Sequence, residues 1–233
     1  MYERHNFLKT PDDERAPIWR FMDLSQFISI LDRNALFFSK PAAMKDPYEC
    51  LPSLREIERY FGPGQQETVS QFYRDTRRGV LINCWHINDY ESAAMWKLYL
   101  KSEEGVAIQS TFATLRDSFT PADAPVYIGQ VEYLDAERET GKFGNAFYSF
   151  LRKRRNFEHE HELRALLFGD PAYFEVPKGV YVSVDVQRLI KKVFVSPVAD
   201  DWFHDVVRSV AGKYGVEESR VVQSDLYRLT YPS

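Results

Sequence analysis

Eight consecutive residues, Phe157-Glu158-His159-Glu160-His161-Glu162-Leu163-Arg164, set three carboxylates and two imidazoles at alternating positions just ahead of the apolar run Ala165 to Phe168. Neighbouring carboxylates can divide acid and base work between them, and imidazoles two residues apart can converge on a metal ion. Drawn as a strand, the segment sends Glu158, Glu160, Glu162 and Arg164 to one face and His159, His161, Leu163 and Ala165 to the other. On that geometry a charged strand enters a cleft, and the glutamates face it. The competing geometry is an exposed helix with Glu158 and Glu162 one turn apart.

Other chemistries have weaker support. His159 and His161, joined by His86 or Asp89, would make an N/O site for zinc or another divalent ion, which keeps a metal-dependent hydrolase as an alternative. A third ligand at a recognisable spacing is missing, so no metal is expected. The chain has no Gly-x-Ser-x-Gly, no Gly-x-Gly-x-x-Gly and no P-loop, and Cys84 lacks the signature of a nucleophile. The basic run Arg152-Lys153-Arg154-Arg155 reads as the solvated end of a helix over Lys142 to Asn156, favourable to the helix dipole and attractive to phosphate.

The elements that must position these residues follow from apolar spacing. Ile18 to Met22 reads as a strand, and Leu24, Phe27, Ile28 and Leu31 recur at helical spacing behind a cap at Asp23. Ala35 to Ser39 is a second strand, and Asp46-Pro47-Tyr48-Glu49 a turn, because proline restricts the residue before it. A polar helical stretch fills Leu54 to Thr76. Val80 to Trp85, Gly105 to Thr111 and Val126 to Leu134 read as strands, with a short helix at Ala93 to Tyr99. The chain closes with a strand at Gly179 to Val184, a helix from Asp185, a strand at Lys192 to Pro197, a helix at Asp201 to Tyr214 and a last strand at Val221 to Gln223. Strands with irregularly inserted helices favour α+β over a regular βαβ alternation. The expectation is one α+β domain over residues 1–233, with a polar leader at 1–17 and mixed or antiparallel sheets that form a cleft with flanking helices.

Composition bounds the function. At 233 residues, with 44% hydrophobic and 15% aromatic residues, the chain can bury a large core. A net charge of −4 argues against bulk DNA binding but leaves room for a local basic cleft. Two cysteines, Cys50 and Cys84, are too few for a disulfide framework, and a cytoplasmic location fits. No apolar run approaches the roughly 20 residues that span a bilayer, so no membrane partner is expected.

Five ordered blocks carry a resemblance: Trp19-Arg20-Phe21, Leu36-Phe37-Phe38-Ser39, Asp46-Pro47-Tyr48-Glu49, Met95-Trp96-Lys97-Leu98-Tyr99 with Gly105-Val106-Ala107, and Glu160-His161-Glu162-Leu163-Arg164. Over Ile18 to Pro197 the chain resembles the bacterial family filed as domain of unknown function 2971. More distantly, an arginine on the first strand and a late glutamate opening a strand are similar to the layout of ADP-ribosyltransferase folds. That resemblance implies NAD as substrate, held by Arg20, with Glu162 at the nicotinamide ribose and Glu160 activating the acceptor; Trp85 or Trp96 offers a ring to stack on nicotinamide or adenine, and Ser39 and His86 complete the candidate NAD-binding residues. It also implies ADP-ribose transfer to an unknown protein or nucleic-acid acceptor, or NAD hydrolysis, in a bacterial toxin or phage-defence setting. The Ser-Thr-Ser triplet of the arginine-modifying branch is absent, as is an evident histidine-tyrosine-glutamate pattern. The rival expectation is a non-catalytic binding module on the same fold, in which Arg20 merely pairs with Glu49 or Glu162 and Arg164 orients Glu162. A Glu162 exposed with Arg20 in a cleft would favour the enzyme; a sealed ion pair would favour architecture.

Overall fold

The computed structural model describes residues 1–44, 46–100, 102–135, 138 and 141–228. Strand β1 (Pro17–Asp23) runs directly into helix α1 (Leu24–Arg33), where the Gln26 side chain accepts from the Asp23 backbone N–H at 3.2 Å. Asn34, in the left-handed region at φ 47°, turns the chain out of the helix into β2 (Ala35–Ser39). The polar stretch after Ser53 forms two helices, α2 (Leu54–Phe61) and α3 (Gln66–Arg78), because Gly62-Pro63-Gly64 interrupts it. Next come β3 (Val80–Ile87), α4 (Ala93–Tyr99), β4 (Gly105–Thr111), α5 (Phe112–Ser118), β5 (Tyr127–Gln130) and β6 (Glu132–Leu134). They are followed by α6 (Ala146–Phe150), β7 (Arg152–Arg154), β8 (Glu162–Phe168), α7 (Ala172–Glu175) and β9 (Gly179–Ser183). The chain ends in α8 (Val186–Leu189), β10 (Lys192–Val195), α9 (Asp201–Lys213) and β11 (Val221–Gln223). The protein is therefore of mixed α+β class, and among the described residues no helix is long and apolar enough to cross a membrane.

Three further sequence expectations change here. The strand expected over Val126 to Leu134 is two, β5 paired with β8 and β6 with β7. Lys142 to Asn156 is not one helix: α6 has five residues, and the basic run continues as β7, in parallel register with β6 from Glu132↔Arg152 to Leu134↔Arg154. Nor is the acidic segment extended before Glu162, since Arg155–Glu160 forms a 3-10 helix that ends at His161, in the left-handed region at φ 38°. Charged residues carry no burial period, so their spacing alone cannot separate a strand from a tight helical turn.

Contacts gather the chain into two compact units, each built from three stretches. The first holds Met1–Pro11, Phe37–Cys84 and Asp123–Val182; the second holds Asp12–Leu36, Trp85–Ala122 and 183 onward. In the first, β5 and β8 pair antiparallel from Tyr127↔Leu166 to Gln130↔Leu163, and Leu166 joins Leu8, Cys50, Val80, Ile82, Val131, Phe147, Phe150 and Leu151 in one apolar core. In the second, β1 pairs antiparallel with β4, β4 with β10, and β10 runs parallel to β11. Phe203, Val207 and Ala211 of α9 recur every fourth residue as its buried stripe.

Candidate functional site

The site grows from β8 in the first unit. Leu163, Ala165 and Leu167 alternate with Glu162, Arg164 and Leu166, and Leu166 lies in the core of that unit. Alternation therefore sends Glu162 and Arg164 inward as well. Gly129 stands opposite Arg164 in the ladder, where a Cβ would meet Leu151 Cδ1 at 2.5 Å. Arg164 is 0% exposed, and each edge of its fork is used. Its Nε donates to Glu162 Oε2 at 2.7 Å, its Nη1 to the Phe150 carbonyl at 2.7 Å and its Nη2 to Glu49 Oε1 at 2.6 Å. Charge-assisted bonds to two carboxylates and a carbonyl are what let an arginine sit in a core.

A second cation closes the network. Lys153 Nζ, from β7, donates to Glu162 Oε1 at 2.6 Å and Glu160 Oε2 at 2.7 Å, and lies 3.5 Å from Glu49 Oε2. Tyr133 Oη accepts from the Glu162 backbone N–H at 2.8 Å. Three carboxylates, Glu49, Glu160 and Glu162, thus share two cations, Lys153 and Arg164. The surplus negative charge falls on Glu160. Burial, then the hydrogen bond to Glu162 and its charge, raise the Glu160 carboxyl to about 7 against the pull of Lys153. At Glu162 burial acts upward too, but Arg164, the bond to Glu160 and Lys153 outweigh it and hold that carboxyl well below its usual range. Burial lowers the affinity of Lys153 for its proton, yet Glu162 and Glu49 more than compensate, and its ammonium is held above the ordinary value. Burial pushes the Cys50 thiol up to about 12, leaving it a poor nucleophile.

Beside this network lies a cavity of about 300 Å³ lined by Asp46, Glu49, Glu56 and the whole of β7, with Tyr48 and Ser53. Asp46 shapes one wall: its Oδ1 accepts from the Tyr48 N–H at 3.0 Å, and its carbonyl from the Glu49 N–H at 3.1 Å, which is the turn expected of Asp-Pro. Arg154 Nη2 pairs with Asp46 Oδ1 at 2.9 Å, and its guanidinium sits 5.0 Å from the Tyr48 ring centre. Arg152 Nη1 pairs with Glu56 Oε1 at 3.3 Å, and its Nη2 donates to the Lys142 carbonyl at 2.7 Å. Two of the three non-glycine residues at positive φ among the described residues, Cys50 (61°) and His161 (38°), adjoin Glu49 and Glu162. Left-handed backbone of this kind is uphill for such side chains and is held in place by surrounding contacts.

The expected site residues divide between the units. Glu160, Glu162 and Ser39 belong to the first, and the Ser39 hydroxyl faces the Ile82 carbonyl at 3.5 Å. Arg20, Trp85, His86 and Trp96 belong to the second. There Arg20 is half-buried in register with Ile108, Trp85 and Trp96 are 1% and 3% exposed, and Trp96 Nε1 donates to Glu91 Oε2 at 3.1 Å. The ion partners of Glu162 are Lys153 and Arg164. Among the described residues no three His, Cys, Asp or Glu side chains are grouped so as to hold a metal ion. Sequence reasoning misses Tyr133, which carries no signal of its own, and reads Arg152 and Lys153 as a basic helix end because a strand so poor in β-forming residues depends on its pairing with β6. A scan against protein-family models and a search of curated proteins both return no match to this chain.

Proposed function

We propose that the first unit is a small-molecule binding module in which Glu162 is an architectural carboxylate. One observation carries this reading: Glu162 is 4% exposed, with Lys153 and Arg164 on its two oxygens at 2.6 and 2.7 Å. A carboxylate that stabilises a cationic ribose must present a free oxygen to substrate, and one already neutralised by two buried cations has little left to offer. The resemblance to ADP-ribosyltransferase folds makes NAD the first ligand to try. The cationic side chains that line the cavity suit its pyrophosphate.

A second reading, ADP-ribose transfer from NAD, draws on the asymmetry of the glutamate pair. Glu160 keeps its proton up to about pH 7 while Glu162 ionises far below it, and carboxylates pushed apart in this way commonly divide acid and base roles. In that reading Glu160 is the general base for the acceptor. Incubating the chain with NAD, while measuring binding by calorimetry and nicotinamide release, separates the two. Binding without release is the expected result. Release that disappears in a well-folded Glu160→Gln chain would replace the binding module with the transferase.

A further inference from the structure

We infer that the cavity of the first unit is a site for the phosphate groups of a nucleotide-type ligand, with Arg152 and Arg154 as donors, Lys153 as a neighbouring positive charge and the Tyr48 ring as the surface for its base. This deepens the binding-module reading and rests on it. The lining carries three carboxylates and three cations, but the two signs are not equally presented. Asp46, Glu49 and Glu56 are all buried, whereas the Arg154 side chain is 46% exposed. A group entering the cavity therefore meets the Arg154 guanidinium first, with Arg152 and Lys153, whose side chains are 7% and 8% exposed, as deep as the carboxylates they pair with. One donor is still unused: the buried Nε of Arg152 has no hydrogen-bond partner among the described residues, although the rest of its guanidinium is held by Glu56 and Lys142. Phosphate oxygens are acceptors only and match the guanidinium fork. Tyr48, 58% exposed beside the Arg154 guanidinium, offers a ring face that a base can stack on. At about 300 Å³ the cavity suits a small ligand rather than a polymer.

Proton linkage gives the site a signature. An anion beside Lys153 draws its ammonium from Glu160, which then faces Glu162 and Glu49 with less compensation, since Arg164 is already committed to those two. Glu160 holds its proton more firmly, so binding takes up a proton and weakens as pH rises through about 7.

The test is calorimetry on the full chain with inorganic pyrophosphate, ADP-ribose and adenosine, with thermal melts of every variant as the folding control. Pyrophosphate and ADP-ribose are expected to bind and adenosine not to. Arg154→Ala should weaken both by roughly 10- to 100-fold, the loss of a charge-assisted bond, with Arg154→Lys between it and wild type. Tyr48→Ala should weaken ADP-ribose and spare pyrophosphate. ADP-ribose, whose diester does not titrate near neutrality, should bind more tightly at pH 6.5 than at pH 8, and Glu160→Gln should flatten that difference. NAD binding indifferent to Arg154→Ala would overturn this site while leaving the binding module standing. No binding of pyrophosphate, ADP-ribose or NAD at millimolar concentration would end both, and an ADP-ribose affinity that rises with pH would overturn the linkage.

Discussion

Arg164 commits every edge of its guanidinium to Glu162, Glu49 and the Phe150 carbonyl, so each partner depends on the others. Removing one charge from a buried network leaves the remainder uncompensated, which typically costs about 3–5 kcal/mol. Glu162→Gln should destabilise the fold on that order in urea unfolding, and Arg164→Ala should do likewise. The double variant should cost less than the sum, because the two losses concern one interaction. A Glu162→Gln chain as stable as wild type would show that the network contributes little. Glu160 behaves in the opposite sense. Its carboxyl, raised from 4.5 to about 7, keeps a proton in the folded chain where the unfolded chain has lost it. Stability therefore falls as pH rises from about 4.5 to 7 and stays reduced above that. Glu160→Gln should raise the melting temperature at pH 8 and leave it nearly unchanged at pH 5. Equal effects at both pH values would remove the raised carboxyl from the account.

At the scale of elements, the short strand β7 does the positioning, and it is the element that local sequence describes worst. Arg152-Lys153-Arg154 has neither apolar alternation nor β-branched residues, and adopts a strand because β6 supplies its ladder. The segment before β8 fails for a related reason. Its alternating Glu and His imitate a strand, yet a left-handed His161 marks the break, and only Glu162 onward is extended. By contrast α1 and α9 are legible because buried apolar residues repeat every three to four positions, and β8 because it carries a short continuous apolar run, Ala165 to Phe168. In β9 a close approach decides the residue type: a Cβ on Gly179 would lie 2.0 Å from the Phe38 carbonyl oxygen, and its φ of 156° is one that L side chains rarely adopt. Gly179→Ala should cost about 1–3 kcal/mol, the range for overpacking against a rigid neighbour. Hydrogen exchange should locate the loss at β9. An unchanged melting temperature would mean that the strand shifts freely.

For the molecule as a whole, each compact unit is assembled from three separated stretches of chain, so composition along the sequence shows no linker between them. The mixture of helices and strands, the turn at Asp46-Pro47, and the absence among the described residues of a helix able to cross a membrane were all determined by the sequence itself. These depend on apolar period, proline geometry and run length, which are properties of neighbouring residues. Sequence also brought Glu160, Glu162 and Arg164 forward as a group. What they do was decided by tertiary structure alone. Glu49 reaches Arg164 across 115 residues, and Lys153 meets Glu49, Glu160 and Glu162 at one point. A carboxylate reads the same in sequence whether it faces solvent, substrate or a buried cation. Its role follows from the dielectric and the countercharges around it, and those are set by non-local packing that no local pattern encodes.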